Sequence, residues 1–297
     1  MESKIHGIDY SYFEIKRLIA LITRKYPFVG VESIGKSVAG RDIQVLSLGS
    51  TSDFTLFVTG DDPAFRIATL ILLQFIAELS EKILVGDEMC GINIRRAMFG
   101  RGVMILPLLN PDGYEIALRG QNGCGNMADK ISKLCYGDFS KWRANLRGVE
   151  ISRNFFLGFK QRRLEEQKLH IAGPSFAGFS GYRPESEAET VALANFCRNK
   201  MARQLISLAV GDKTVMYSGF AEPERSVKMA EIMAAVTSFS ITPPITNKNL
   251  NFSDWFAYEF EKPAITVKIG GKLVPDCSEL TYWYARLREL LTLSCLF

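Results

Sequence analysis

The stretch VTGDDPAFRIATLILLQFI, residues 58–76, runs from an apolar strand end through Gly60, Asp61, Asp62 and Pro63 into a long apolar helix. A strand that feeds directly into a helix rejoins its sheet by a crossover, and crossovers produce parallel strands covered on both faces. The preceding run FTLFVTG, at 54–60, is apolar enough for a central strand. In sheets of this kind ligands bind at the carboxyl ends of the strands. Local chemistry predicts a helix over 64–82, with Pro63 at its first position and Asp62 as N-cap.

The remaining periodicities fit an α/β layer fold. Phe13, Ile15, Leu18, Ile19 and Ile22 form one stripe of a first helix over 11–24. VGVESIG and DIQVLSLGS flank the turn signal VAGRD, which predicts a hairpin. GVMILPLLNPDG reads as a buried strand stopped by an Asn-Pro-Asp-Gly turn. A helix is expected over 186–199, with Ser186 and Glu189 at capping-box spacing. QLISLAVG, TVMYSG and AITVKIGG are further strands, and ELTYWYARLRELLTL is a last helix. Strands alternating with helices imply a mixed sheet. No repeat or linker divides the chain, so one domain over 1–297 is expected. The segment 119–182, rich in Gly, Asn, Ser and Arg, is the irregular part and a candidate binding region.

Composition narrows the function classes. The 36 basic residues exceed the 32 acidic ones by only four and are scattered, unlike the clustered patch that nucleic acid or an acidic membrane requires. The longest apolar run, ATLILLQFIAEL, is broken by Gln74 and too short to span a bilayer. The opening residues lack the apolar core of a secretory signal. Cys90, Cys124, Cys135, Cys197, Cys277 and Cys295 lie far apart without C-x-x-C pairs, which predicts free thiols in a reducing cytoplasm. A soluble cytoplasmic protein is expected.

Five stretches, taken in order, resemble the zinc carboxypeptidase family, in particular its bacterial branch that trims cell-wall peptides. They are IGKSVAGRDIQVLSLG, MILPLLNPDGYE, RGVEISRNF, GYRPESEAET and SDWFAYEFEKPAITVKIG. Their order and spacing hold from about residue 8 to 290. The resemblance implies a single domain with a twisted mixed β-sheet flanked by helices on both faces. It also implies a zinc site made by a His-x-x-Glu and a later histidine, with a glutamate as general base.

At those positions this chain departs from the family pattern. The His-x-x-Glu falls on Asp62 and Phe65, the later histidine on Leu208, and the general base on Lys268. Catalytic zinc needs about three N, O or S ligands from the protein, and of these residues only Asp62 supplies one. A lysine cation neither accepts a proton from water nor suits the neighbourhood of a dication. The chain holds only two histidines, His6 and His170, the latter after a charged helix-like run. No bound cofactor is therefore expected, although the family would carry zinc.

The substrate-gripping positions are better kept. The resemblance places its carbonyl-polarising arginine on Arg143 and its carboxylate-gripping Asn-Arg pair on Ser152 and Arg153. Arginine's planar fork suits a carboxylate, so an anion pocket can outlast the loss of hydrolysis; the alternative is that both arginines form structural ion pairs. The family's substrate-capping tyrosine would fall near Thr246. Lys268 is expected either to snorkel to solvent or to pair with Asp62 across the vacated metal position. Asp112, Glu150, Glu185 and Glu187 are possible replacement acids with simpler structural roles, Asp112 in a turn and Glu187 at a helix start. A Cys124 or Cys135 dyad with His170 lacks any nucleophile signature, and the GCG at 123–125 lacks a phosphate-loop context.

Three functional expectations follow. The first is a catalytically inactive relative that keeps a cleft for a peptide or small carboxylate. The second is an active metallocarboxypeptidase with unusual ligands. The third is a structural scaffold whose cleft is filled by Phe65 and Leu208.

Overall fold

The structure, a computed structural model, describes residues 10–243, 250–271 and 274–297. His6 and Thr246 lie outside the described residues.

Helix α1 (Tyr12–Lys25) opens on a capping box in which Ser11 and Glu14 bond each other's backbone N–H, and it buries Ile15, Ile19 and Ile22. Strands β1 (Gly30–Lys36) and β2 (Asp42–Gly49) form the expected hairpin, with a register shift between Ser33 and Gly35. Strand β3 (Phe54–Val58), buried throughout, leads to α2 (Arg66–Val85). A small hairpin of β4 (Glu88–Met89) and β5 (Ile92–Asn93) and a short α3 (Ile94–Ala97) precede β6 (Gly102–Leu106). The chain continues through α4 (Pro111–Arg119), α5 (Ala128–Leu134), α6 (Phe159–Lys168) and α7 (Ala188–Lys200). It then forms β7 (Gln204–Val210), β8 (Thr214–Tyr217), α8 (Pro223–Thr237), β9 (Ser240–Thr242), α9 (Phe252–Phe260), β10 (Ala264–Ile269) and α10 (Leu280–Ser294).

Eight strands make one mixed sheet in the order β1-β2-β6-β3-β7-β10-β8-β9. Its centre is parallel, with β3 paired to β6 and β7, and β7 to β10. Side chains alternate between two cores. Phe57, Ile206, Leu208, Ile265 and Val267 face α2 and α10, whereas Leu56, Val58, Leu205 and Ala264 face α7 and α9. Each such side chain, taken from water to the interior, contributes about 1.5–3 kcal/mol before chain entropy is counted. Helices thus cover both faces of a mixed sheet, as expected.

Several local expectations are corrected. The helix after β3 starts at Arg66, not at Pro63, and its N-cap is Phe65 without a side-chain bond. Asp62 instead accepts the Ala64 N–H at 3.0 Å while its carbonyl accepts Phe65 N–H at 3.1 Å, so Pro63 sits inside a tight turn that precedes the helix. Asn-Pro-Asp-Gly is not a plain turn: Asn110 accepts Gly113 N–H at 2.9 Å and caps α4, with Pro111 at its first position. No capping box forms at α7, where Ser186 donates to Glu187 at 2.8 Å. The irregular segment contains α5, α6 and a small core of its own around Ile116, Ile131 and Trp142.

Candidate functional site

At the carboxyl ends of the parallel strands the chain segments after β3 and β6 are laced together. Leu109 N–H bonds Thr59 O at 3.1 Å and Asn110 N–H bonds Gly60 O at 2.8 Å. Gly60 is required: at φ +76 a Cβ would stand 2.7 Å from the Leu108 Cα. The buried Asn110 amide donates to Asp61 O at 3.3 Å and Ala144 O at 3.2 Å, which ties the β3 turn to the loop carrying Arg143. That loop is also anchored by Arg143 N–H to Phe176 O at 2.7 Å.

This lacing brings Arg143 to Asp62. Their closest ion-pair atoms, Nε and Oδ1, are 3.5 Å apart. Burial pushes the Asp62 carboxyl up, Arg143 draws it back, and Glu150 adds to the rise. Asp61 is pushed up to about 7, chiefly by burial and then by the Asp62 charge. Asp62 does not pair with Lys268: its ion pair is with Arg143, and Lys268 makes no ion pair with any described residue. Lys268 is half-buried on β10 opposite Ala209 and Thr214, its stem packed against Gly211. Two residues earlier on the same face, Thr266 joins Ser207 and Ser253 in a buried ring of hydroxyls 3.0–3.1 Å apart.

Phe65 and Leu208 stand elsewhere. Exposed by only 2% and 1%, they lie in the core shared with α2 and α10. They are core residues, packed among the apolar side chains on that side of the sheet. A zinc ion does not fit these positions, because Phe65 and Leu208 offer only carbon and the Asp62 carboxylate is engaged by Arg143 and Ala64 N–H. Among the described residues no three His, Cys, Asp or Glu side chains are grouped to hold a metal.

Ser152 and Arg153 lie on the short 3-10 turn Ile151–Arg153. Ser152 donates to Glu150 at 3.4 Å, and Glu150 accepts Gly178 N–H at 2.8 Å. Arg153 donates to Glu165 at 3.1 Å. Both arginines nevertheless keep a buried nitrogen without an acceptor, Nη1 of Arg143 and Nε of Arg153. Arg162 was not singled out by its sequence context. It is 3% exposed and donates to the carbonyls of Arg153 at 2.8 Å, Phe155 at 3.1 Å and Leu250. Burial, with the nearby Arg153 charge, pushes it down to about 10.

The other candidate acids are structural. Asp112 accepts Ser37 Oγ at 2.7 Å, Ala39 N–H at 2.8 Å and Arg41 at 2.6 Å. Glu185 pairs with Arg198 at 2.8 Å. Glu187 and Glu189 both accept from the Asn145 amide, at 2.9 and 3.1 Å. Cys124 is buried and its thiol is pushed up to about 11, while His170 is exposed in a left-handed turn, so the nucleophile dyad does not form. Cys90, Cys124, Cys135, Cys197 and Cys295 are in no disulfide, and among the described residues no helix is long and apolar enough to cross a membrane.

A sequence model of the zinc carboxypeptidase family matches residues 15–259. The chain belongs to that family. It is 23% identical over 273 residues to gamma-D-glutamyl-L-diamino acid endopeptidase 1 of Lysinibacillus sphaericus, covering 90% of this chain and 67% of that protein. Its fold is similar to the crystal structure of thrombin activatable fibrinolysis inhibitor, with TM-score 0.72 and 18% identity over 96% of this chain and 73% of that one. It is also similar to murein-tripeptide amidase MpaA from Escherichia coli O157, with TM-score 0.51 and 15% identity over 88% of this chain and 91% of that one.

Proposed function

We propose that this member of the zinc carboxypeptidase family binds a carboxylate-bearing peptide of the cell-wall type without hydrolysing it. The observation that carries the proposal is that Arg143, partly exposed beside Asp62, keeps a guanidinium nitrogen without an acceptor, Nη1, as Arg153 does at Nε. A buried donor left unpaired is costly, and a ligand carboxylate satisfies a guanidinium edge with two parallel bonds. The relationship to an endopeptidase acting on gamma-D-glutamyl-diamino acid peptides supports the ligand class. The residue set Asp62, Phe65, Leu208 and Lys268 supports the loss of hydrolysis, since it does not offer a zinc ligand set.

The test is a calorimetric titration of the full chain with a gamma-D-glutamyl-diamino acid dipeptide, alongside zinc content and product analysis of protein purified without chelators. Binding with substoichiometric zinc and no released diamino acid is expected. Near-stoichiometric zinc together with hydrolysis overturns the proposal in favour of an active metallocarboxypeptidase.

A further inference from the structure

Away from the strand ends, a cavity of about 780 Å³ opens between α1, α2 and α10. Gln74, one of its lining residues, lies eight residues into α2, roughly 12 Å along the helix from its start at Arg66 at a rise of about 1.5 Å per residue. The volume falls in the range of small-molecule sites, about 300–1,000 Å³. Its walls are apolar: Leu18 and Ile22 from α1, Leu70, Leu73 and Ala77 from α2, and Leu280 from α10.

Every charge on the rim is already matched within the protein. Glu81 accepts from Lys25 at 2.8 Å and from Tyr26, and Glu78 accepts from Tyr284 at 2.6 Å and from Arg288 at 2.9 Å. A charged ligand would meet no free counter-charge there and would lose hydration without compensation. Gln74 differs from these residues. It lines the cavity, is half-buried and makes no hydrogen bond with any described residue, so its amide donor and acceptor are available to a ligand there. A protein partner fits poorly, because 15 residues line the cavity, fewer than the about 20–30 a stable interface uses on each side.

We propose that this cavity is a binding site for an uncharged apolar molecule with a single hydrogen-bonding group, such as a long-chain alcohol or primary amide, held by its tail between α1 and α10 and by its polar group at Gln74. Nothing in the strand-end site enters this assignment.

The test uses the full chain with 1-decanol and, as the charged counterpart, decanoate. Decanol is expected to raise the melting temperature in a saturable manner and to bind at least tenfold more tightly than decanoate, since the carboxylate finds no partner. Gln74→Leu, which removes one hydrogen bond, is expected to weaken decanol roughly fivefold. Ala77→Phe fills the cavity from its half-buried wall and should abolish binding; Leu73→Trp does the same from the floor, and Ala77→Phe keeps the test valid if that larger change prevents folding. Decanoate binding as tightly as decanol, an unchanged response in Ala77→Phe, or no saturable response at all overturns the proposal.

Discussion

Arg143 Nε lies 3.5 Å from the Asp62 carboxylate. The residue on which the resemblance places a metal ligand is therefore joined to the residue on which it places a substrate contact. The two side chains are 30% and 24% exposed, so the pair stands at the edge of solvent where a ligand can reach it. Asp62 is then a built-in competitor for any carboxylate that Arg143 would bind.

Removing the competitor should strengthen ligand binding. Asp62→Asn keeps the shape of the turn and the acceptor for Ala64 N–H but removes the charge beside Arg143. The gamma-D-glutamyl dipeptide is expected to bind roughly three- to tenfold more tightly to Asp62→Asn, and at least about tenfold more weakly to Arg143→Ala, where a charge-assisted contact is lost. Calorimetry reads both. Unchanged affinity in both variants would remove Arg143 from the binding surface.

Core placement of Phe65 makes a different prediction. A carboxylate at a position 2% exposed and surrounded by the apolar residues of the α2 core has no partner. Phe65→Glu is expected to lower unfolding free energy by about 3–5 kcal/mol, the cost of an uncompensated buried charge, and Phe65→Leu by about 1 kcal/mol. Urea unfolding of the two variants distinguishes them. A Glu variant as stable as the Leu variant would place this side chain at a wet surface.

The strand β3 and the helix after it were legible because both carry dense, bounded apolar runs. Helix α6 was legible only as a charged helix-like run before His170, since FKQRRLEEQK has no apolar stripe and turns only Arg162 and Glu166 inward among its charged residues. Asn110 and Pro111 signal a turn and a helix start equally well. The tertiary bond from Asn110 N–H to Gly60 O selects the second. Asp62, Arg143 and Arg153 were found through the family resemblance. That Asp62 meets Arg143 rather than Lys268 was not legible, because it depends on anchors distant in sequence, Asn110 to Ala144 and Arg143 to Phe176.

Arg162 is expected to matter for stability before it matters for binding. Its planar fork reaches three backbone carbonyls from three places in the chain, near 153, 155 and 250. A lysine ammonium cannot copy that geometry. Arg162→Lys should cost about 2–4 kcal/mol through unpaired carbonyls, read as a lower denaturant midpoint. Dipeptide affinity should fall with it, because the Arg153 carbonyl loses its anchor. A midpoint close to that of the unmodified chain would show that water replaces these bonds.

Stability should also fall as pH rises through the neutral range. Glu189 is fully buried, one of its oxygens has no partner, and its other oxygen shares the Asn145 amide with Glu187. Burial chiefly, with Asp112 and Glu187 as like charges, pushes its carboxyl from 4.5 up to about 7. Below 4.5 the folded and unfolded chains both hold the proton, so this group costs nothing. Between 4.5 and 7 the unfolded chain releases it first and the folded state loses ground; above 7 the loss is constant. A shift of that size corresponds to a loss on the order of 3 kcal/mol. Glu189→Gln cannot ionise, so the stability difference between it and the unmodified chain should change by about 2.5 kcal/mol between pH 5 and pH 8, in favour of the variant at the higher pH. Urea midpoints at those two pH values measure it, and taking the difference cancels the similar contribution of Asp61, which titrates in both proteins. A difference that does not change with pH would mean that Glu189 is already ionised at pH 5 and that its free oxygen is hydrated.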